Sequence, residues 1–292
     1  MKIWVIAACL VALAHGTSWG RRPPRFHLAT PRLHARLARQ ARAGQNLEAV
    51  AHYRRAGGRT GGTAFVVSAP DEKGVALALT NHHVALYDKK TVKGDALLFH
   101  QDGASRPTAA KILGCLASDR QMDYALLSVK LPRKLRGLAP VRISLDGSRG
   151  VRQVYNAGFP RIWQAERKRA ADKQLSLVAG GRQRPAFQRA LRARSLLPKM
   201  VQVGRVNNEM WVDPFITLRL ANENGSSGSP IFAKRNHRVI GMLCAGGGNV
   251  DAFAMPMGEI LRGIAKQRPG ITDPSMARAV DRLLRGSGST GP

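Results

Sequence analysis

Acidic residues are scarce in this chain: 18 Asp and Glu stand against 47 Lys and Arg, a formal net charge of +29 over 292 residues. That balance, with 44% hydrophobic residues, excludes an acidic disordered chain and leaves enough apolar material for a buried core. Cysteine is nearly absent, at three residues, so a disulfide-stapled miniprotein is excluded. Aromatic residues make up only 5%, and the core is expected to be aliphatic. No hydrophobic run reaches the roughly 20 residues that a membrane-spanning helix needs. Neither a phosphate-cradling nor a dinucleotide glycine motif occurs, and no His, Cys, Asp or Glu group has zinc-ligand spacing. His100 and His237 stand alone, so neither metal nor cofactor is expected.

The opening residues do carry an apolar run, Ile3 to Ala14, behind a single Lys2. It is too short to span a bilayer and ends in Ala12-Leu13-Ala14, a small-x-small cleavage pattern, so residues 1–14 read as a secretory signal. A lipoprotein signal ending at Cys9 is the competing reading, with too short an apolar region before the cysteine. A secreted or periplasmic protein follows. If Cys9 leaves with the signal, Cys115 and Cys244 remain, either as one disulfide or as two buried thiols.

Residues 15–60 form a basic arm: Arg21 to Arg59 holds ten Arg against one acid, Glu48, with no alternating strand pattern. Thr30-Pro31 is a helix start and Gly44 a stop, so the arm is expected to be helical. From Gly61 the hydrophobic period becomes two. β-rich runs at 63–68, 75–80, 96–100, 111–116 and 124–130 predict one small antiparallel barrel, and runs at 151–157, 200–206, 215–220, 230–233, 239–244 and 252–255 predict a second. Between them, residues 161–200 break the rhythm with eleven basic and two acidic residues and a modest helical stripe, a basic helical insertion. A last helix is expected from Asp273, with Pro274 at its first position, followed by a flexible tail in the segment 266–292.

Three segments carry chemistry. LANENGSSGSPIF places Ser227 in a tight glycine turn between Gly225 and Gly228, where a hydroxyl is exposed and backbone N–H groups converge. The amides of Gly225 and Ser227 would form an oxyanion hole, worth roughly 2.7 to 4 kcal/mol per donor. Taken alone, GSSGSP could also be a serine-glycine linker, against which the apolar Ile231-Phe232 argues. ALALTNHHVAL ends a β-rich run in a turn with two histidines, either of which could be a general base near neutral pH. RQMDYALLSVK puts Asp123 before an apolar strand, where a carboxylate can hold an imidazole's tautomer or simply close a turn.

In the order His, Asp, Ser, these segments resemble the trypsin-like serine peptidases of the chymotrypsin superfamily, particularly the bacterial HtrA-like and glutamyl-endopeptidase-like branches. TNHHV stands for TNxHV, MDYALL for DxALL and GSSGSP for GxSGxP, with VIGMLCAGG and FAMPM downstream. The resemblance covers about residues 61–265 and no PDZ-like segment follows. It implies two six-stranded antiparallel barrels in the chymotrypsin fold and a catalytic triad of His83, Asp123 and Ser227. His83 is selected over His82 because the family's histidine directly precedes valine. It also implies substrate contacts at Ala221, Leu243, Ala245 and Gly246.

Departures from the family pattern narrow the reading. Ser226 replaces the aspartate of animal trypsins, so activation through a new N-terminal amine is excluded. Leu243 replaces the histidine that reads glutamate in the glutamyl endopeptidases, and Ala221, near the base of the substrate pocket, replaces trypsin's aspartate. A small or medium apolar residue is the expected preference. The expected activity is endopeptidase hydrolysis through an acyl-enzyme, with two rivals: ester cleavage by the same triad, and an idle protease-like scaffold that binds an anionic polymer or membrane surface.

Overall fold

The computed structural model describes residues 26–28, 47–56, 61–86, 92–99, 107–145, 147–159, 199–207, 212–220, 225–247 and 251–286. The predicted strands fold as two closed rings. The first consists of β2 (Val50–Arg54), β3 (Thr63–Val66), β4 (Val75–Thr80), β5 (Ala96–Phe99), β6 (Thr108–Asp119) and β7 (Tyr124–Lys130), closed in the order β2-β3-β4-β7-β6-β5. The second consists of β8 (Gln153–Gly158), β9 (Met200–Val206), β10 (Ile216–Arg219), β11 (Pro230–Ala233), β12 (Val239–Gly247) and β13 (Asp251–Pro256). Its ring runs β9-β10-β13-β12-β11-β8 and closes through β8 on β9. Closure pairs both edges of the strands in each ring, which protects short strands from pairing with other chains.

The aliphatic core expected from composition is present. Leu77, Leu79, Leu97, Leu126 and Leu127 of the first barrel have no exposed surface, and Ile231, Leu218 and Leu243 pack inside the second. The long strand β6 carries two register shifts, at Ile112/Gly114 and Cys115/Ala117. Such bulges bend a strand enough to follow a barrel wall.

Two strands lie where the sequence predicted a helical arm. Phe26–Leu28 (β1) adds antiparallel to β9, and Val50–Arg54 belongs to the first barrel, which therefore begins before Gly61. In strand β2, Val50, Ala51 and Tyr53 are fully buried, and half-buried His52 packs its ring against Phe159 beyond β8, with centroids 5.5 Å apart. Its five residues, Val-Ala-His-Tyr-Arg, lie in an arginine-rich stretch and carry no strand signal of their own; its partners β3 and β5 lie further along the chain. The helix expected around residues 30–44 and the insertion at 161–198 lie outside the described residues.

Among the described residues are the α-helices α1 (His82–Ala85), α2 (Met257–Gln267) and α3 (Pro274–Gly286), with short 3-10 turns at Arg133–Leu135 and Arg268–Gly270. The last begins where predicted, its first turn capped by Asp273, whose carboxylate accepts the Met276 N–H at 2.9 Å. Helix α2 follows β13 and buries Met257, Ile260, Leu261 and Ile264, a single helical face, in an apolar core that residues of both barrels share. At its end Gln267 bonds the N–H and C=O of Ser118 at 3.1 and 3.0 Å and the Tyr124 hydroxyl at 3.0 Å. Gly263 allows this close approach, since a Cβ there would lie 2.6 Å from the Tyr124 oxygen. The β6–β7 turn is thus fixed from outside its own barrel. Among the described residues no helix is long and apolar enough to cross a membrane.

Candidate active site

The register of β4 on β7 brings the first two motifs together. Thr80 pairs with Ala125, so the chain leaving β4 and the chain entering β7 emerge side by side at one barrel end. Past Thr80 the chain forms the single turn α1, which carries His82 and His83. Opposite it, the β6–β7 turn is closed by Asp119, whose carboxylate accepts the N–H groups of Gln121 and Met122 at 2.7 and 2.9 Å. Asp123 ends that turn in the left-handed region, φ 50°, a conformation aspartate adopts more readily than most residues.

One carboxylate grips one histidine twice. Asp123 Oδ2 lies 2.7 Å from His83 Nδ1, and Oδ1 accepts the His83 backbone N–H at 3.0 Å. Asn81 closes the arrangement by donating its side-chain amide to the Asp123 carbonyl at 2.9 Å. With Nδ1–H donating to the carboxylate, Nε2 keeps its lone pair as an acceptor. The ring stays 38% exposed, so that lone pair is reachable. His82 has no such partner: its Nδ1 is buried without a hydrogen bond, and desolvation lowers its pKa from the ordinary histidine value. The geometry thus separates two histidines that the residues alone leave equal.

The serine turn is seated against the first barrel. Gly225 and Gly228 have φ of 93° and 84°, values open to glycine and strained for other residues. At Gly228 a Cβ would lie 2.0 Å from the Thr63 carbonyl. The Thr63 N–H donates to the Ser227 carbonyl at 2.8 Å, and its hydroxyl donates to the Gly225 carbonyl at 3.0 Å. Behind the turn, Gly228 N–H donates to the Leu243 carbonyl at 2.8 Å and Ser229 N–H to the Ser226 carbonyl at 3.0 Å. Among the described residues the N–H groups of Gly225 and Ser227 form no hydrogen bond, and Ser227 is half-buried.

The predicted substrate-contact residues fall in different places. Ala245 and Gly246 are half-buried on β12, past a register shift, and pair with Phe253 and Ala252. Leu243 requires a correction: its side chain has no exposed surface and packs in the second barrel's apolar interior, so only its backbone, bonded to Gly228 and Ser229, reaches the serine turn. An inward position on a closed barrel faces the core, not a ligand. Ala221 and His100 lie outside the described residues. His237 is buried, 3.1 Å from the Tyr155 hydroxyl, and the described residues hold no metal-ligand cluster.

Cys115 and Cys244 are separate free thiols. Burial raises both above the usual thiol range, Cys115 to about 11. One site residue was missed in the sequence. Arg55 reaches from the end of β2 to the His83 turn, and within the run Tyr53-Arg54-Arg55 nothing distinguishes it from the neighbouring arginine.

Residues 62–242 match the family described as the trypsin-like peptidase domain. The chain belongs to this family of peptidases. Its closed pair of six-stranded barrels is the architecture of the chymotrypsin-like superfamily. A solved serine endoprotease from Yersinia pestis is similar in fold, with 16% identity and a TM-score of 0.51 over 80% of this chain and 66% of that one. The chain therefore spans just under two thirds of that protein's length. Rv3671c from M. tuberculosis H37Rv, in an inactive form, is similar at 18% identity and a TM-score of 0.48, over 86% of this chain and 98% of that one. No curated protein matches the chain.

Proposed function

We propose that this chain is a secreted serine endopeptidase that cleaves peptide bonds through an acyl-enzyme, with His83, Asp123 and Ser227 as its triad. The observation that carries the reading is the double grip of Asp123 on His83, at 2.7 and 3.0 Å, beside the glycine-flanked turn of Ser227. Ser227 Oγ attacks the scissile carbonyl while His83 Nε2 takes its proton, and Asp123 stabilises the imidazolium. The oxyanion is received by the N–H groups of Gly225 and Ser227. His83 then returns the proton to the leaving amine, and water releases the acyl group by the same route. Extended substrate lies along Ala245 and Gly246, and the alanine at position 221 favours a small or medium apolar side chain before the cut.

The basic segments 21–59 and 161–200 carry +9 each, so +18 of the +29 lies in under a third of the chain. That clustering supports adhesion to an anionic polymer or membrane surface, with affinity that falls steeply with salt. The idle-scaffold reading keeps this adhesion and removes the chemistry. A fluorophosphonate probe on the secreted chain separates the two: labelling at Ser227, absent in Ser227→Ala, with peptide turnover is expected of the enzyme. An unlabelled, well-folded chain that still binds heparin would establish the scaffold. A peptide library on the active protein then reads its preference.

A further inference from the structure

The turn that carries His83 is too short to satisfy its own carbonyls. Helix α1 makes two closing bonds, Ala85 N–H to Asn81 C=O at 3.1 Å and Leu86 N–H to His82 C=O at 2.7 Å. The next carbonyls in line, those of His83 and Val84, receive no helical N–H among the described residues. Both are taken by one guanidinium: Arg55 Nη2 donates to the His83 carbonyl at 2.6 Å and Nε to the Val84 carbonyl at 2.8 Å. Arg55 is 28 residues before His83, one residue past the end of β2.

The base of this arm is itself fixed. Asp95, only 2% exposed, accepts the Tyr53 hydroxyl through Oδ2 and the Ala56 N–H through Oδ1, the latter at 2.8 Å. The residues flanking Arg55 on both sides therefore converge on one buried carboxylate, and the guanidinium projects from a backbone that cannot swing. A planar fork with parallel N–H donors can hold two successive carbonyls at once, whereas a lysine ammonium on a flexible stem cannot fix both.

We propose that Arg55 is a positioning residue that clamps the backbone of the His83 turn against the end of β2. His83 is then held from two sides: Asp123 fixes its ring and N–H, and Arg55 fixes its C=O. The inference rests on the triad reading, and it assigns a role to a residue outside that triad. Removing Arg55 frees the His83 and Val84 carbonyls and loosens the turn that carries the imidazole.

The test compares the full chain with Arg55→Gln and Arg55→Lys, reading kcat and KM on a peptide substrate. Arg55→Gln is expected to lower kcat by about 10- to 100-fold, the range that a misplaced catalytic group produces, with KM little changed. Arg55→Lys is expected to recover only part of kcat, because one ammonium cannot fix both carbonyls. Wild-type kcat in a folded Arg55→Gln chain would overturn the proposal, as would full recovery by Arg55→Lys. Should Arg55→Gln fail to fold, Arg55→Lys decides: reduced kcat with KM unchanged supports the clamp, and full kcat refutes it. If the parent chain neither labels at Ser227 nor turns over peptide, the triad reading has failed instead. Amide hydrogen exchange of Ala85 and Leu86, whose N–H groups close α1, then still tests Arg55: faster exchange in the Gln variant sustains the clamp, and unchanged exchange ends it.

Discussion

Gly62 is all that separates the side chain of Val84 from the backbone of Ser227. A Cβ at Gly62 would lie 2.7 Å from Val84 Cγ2 and 2.8 Å from the Ser227 carbonyl oxygen, both inside contact distance. Val84 follows His83 directly, so this glycine sets how closely the histidine turn and the serine turn approach.

Gly62→Ala should therefore push the two turns apart. The Val84 methyl can rotate away, but the Ser227 carbonyl is backbone and is already bonded to Thr63 N–H at 2.8 Å. Catalytic geometry degrades before the fold does, because the strain is local to one contact. The expected outcome is a loss of about 10²-fold in kcat, typical of displacement by an ångström or less, with a melting temperature lowered by only a few degrees, as about 1 kcal/mol produces. Activity near wild type would show that the turn relaxes without moving Ser227.

The two histidines provide a second check. His83 is gripped by Asp123, while the Nδ1 of His82 is buried without a partner and its pKa is lowered by desolvation. His83→Ala should reduce turnover by about 10³-fold or more, as loss of a triad member does. His82→Ala should keep most of the activity and lower stability modestly by leaving a small void. Rates for both variants at one pH are sufficient, and the reverse ranking would place the general base on the wrong residue.

A pH effect on stability follows from the pair Arg268–Asp281. Its two parallel bonds, 2.7 and 2.8 Å, tie the end of α2 to α3. The hydrogen bond from Arg268 lowers the Asp281 pKa below its ordinary 3.8. A carboxyl depressed on folding stabilises fully above its unfolded pKa and loses that contribution as pH falls through the folded one. Asp281→Asn should thus lower the melting temperature slightly at pH 7, and the difference should shrink below pH about 4 as the wild-type carboxyl protonates. The effect is small because both side chains are about a third exposed. A gap that stays constant from pH 7 to pH 2.5 would mean the asparagine acts through packing instead.

The strand rhythm from Gly61 onward was readable because it is local. A short apolar, β-rich run is written within a few residues, and Val75–Thr80, Tyr124–Lys130, Met200–Val206 and Pro230–Ala233 form with the ends predicted. The last helix was equally readable, since Asp273 and Pro274 mark its start through their own backbone preferences. The serine turn was legible for the same reason: only glycine tolerates the φ values found at 225 and 228. Strand β2 escaped because it is only five residues long, sits among arginines, and is made a strand by pairing with β3 and β5 further along the chain.

What the chain by itself determined was the kind of chemistry available: a histidine turn, an aspartate at a strand start and a serine in a glycine turn, each written in a few consecutive residues. Only the tertiary structure decided how these are combined. The pairing of Thr80 with Ala125 carries Asp123 to His83 across 40 residues, and it makes one of two adjacent histidines the partner of that carboxylate. It also turned Leu243 from an expected substrate contact into core, and raised Arg55 from one of ten arginines in a basic run to the residue that holds the His83 carbonyl. Both reversals have one cause: whether a side chain meets solvent, core or a partner's carbonyl depends on barrel closure and strand register, which bring together residues that are distant in sequence.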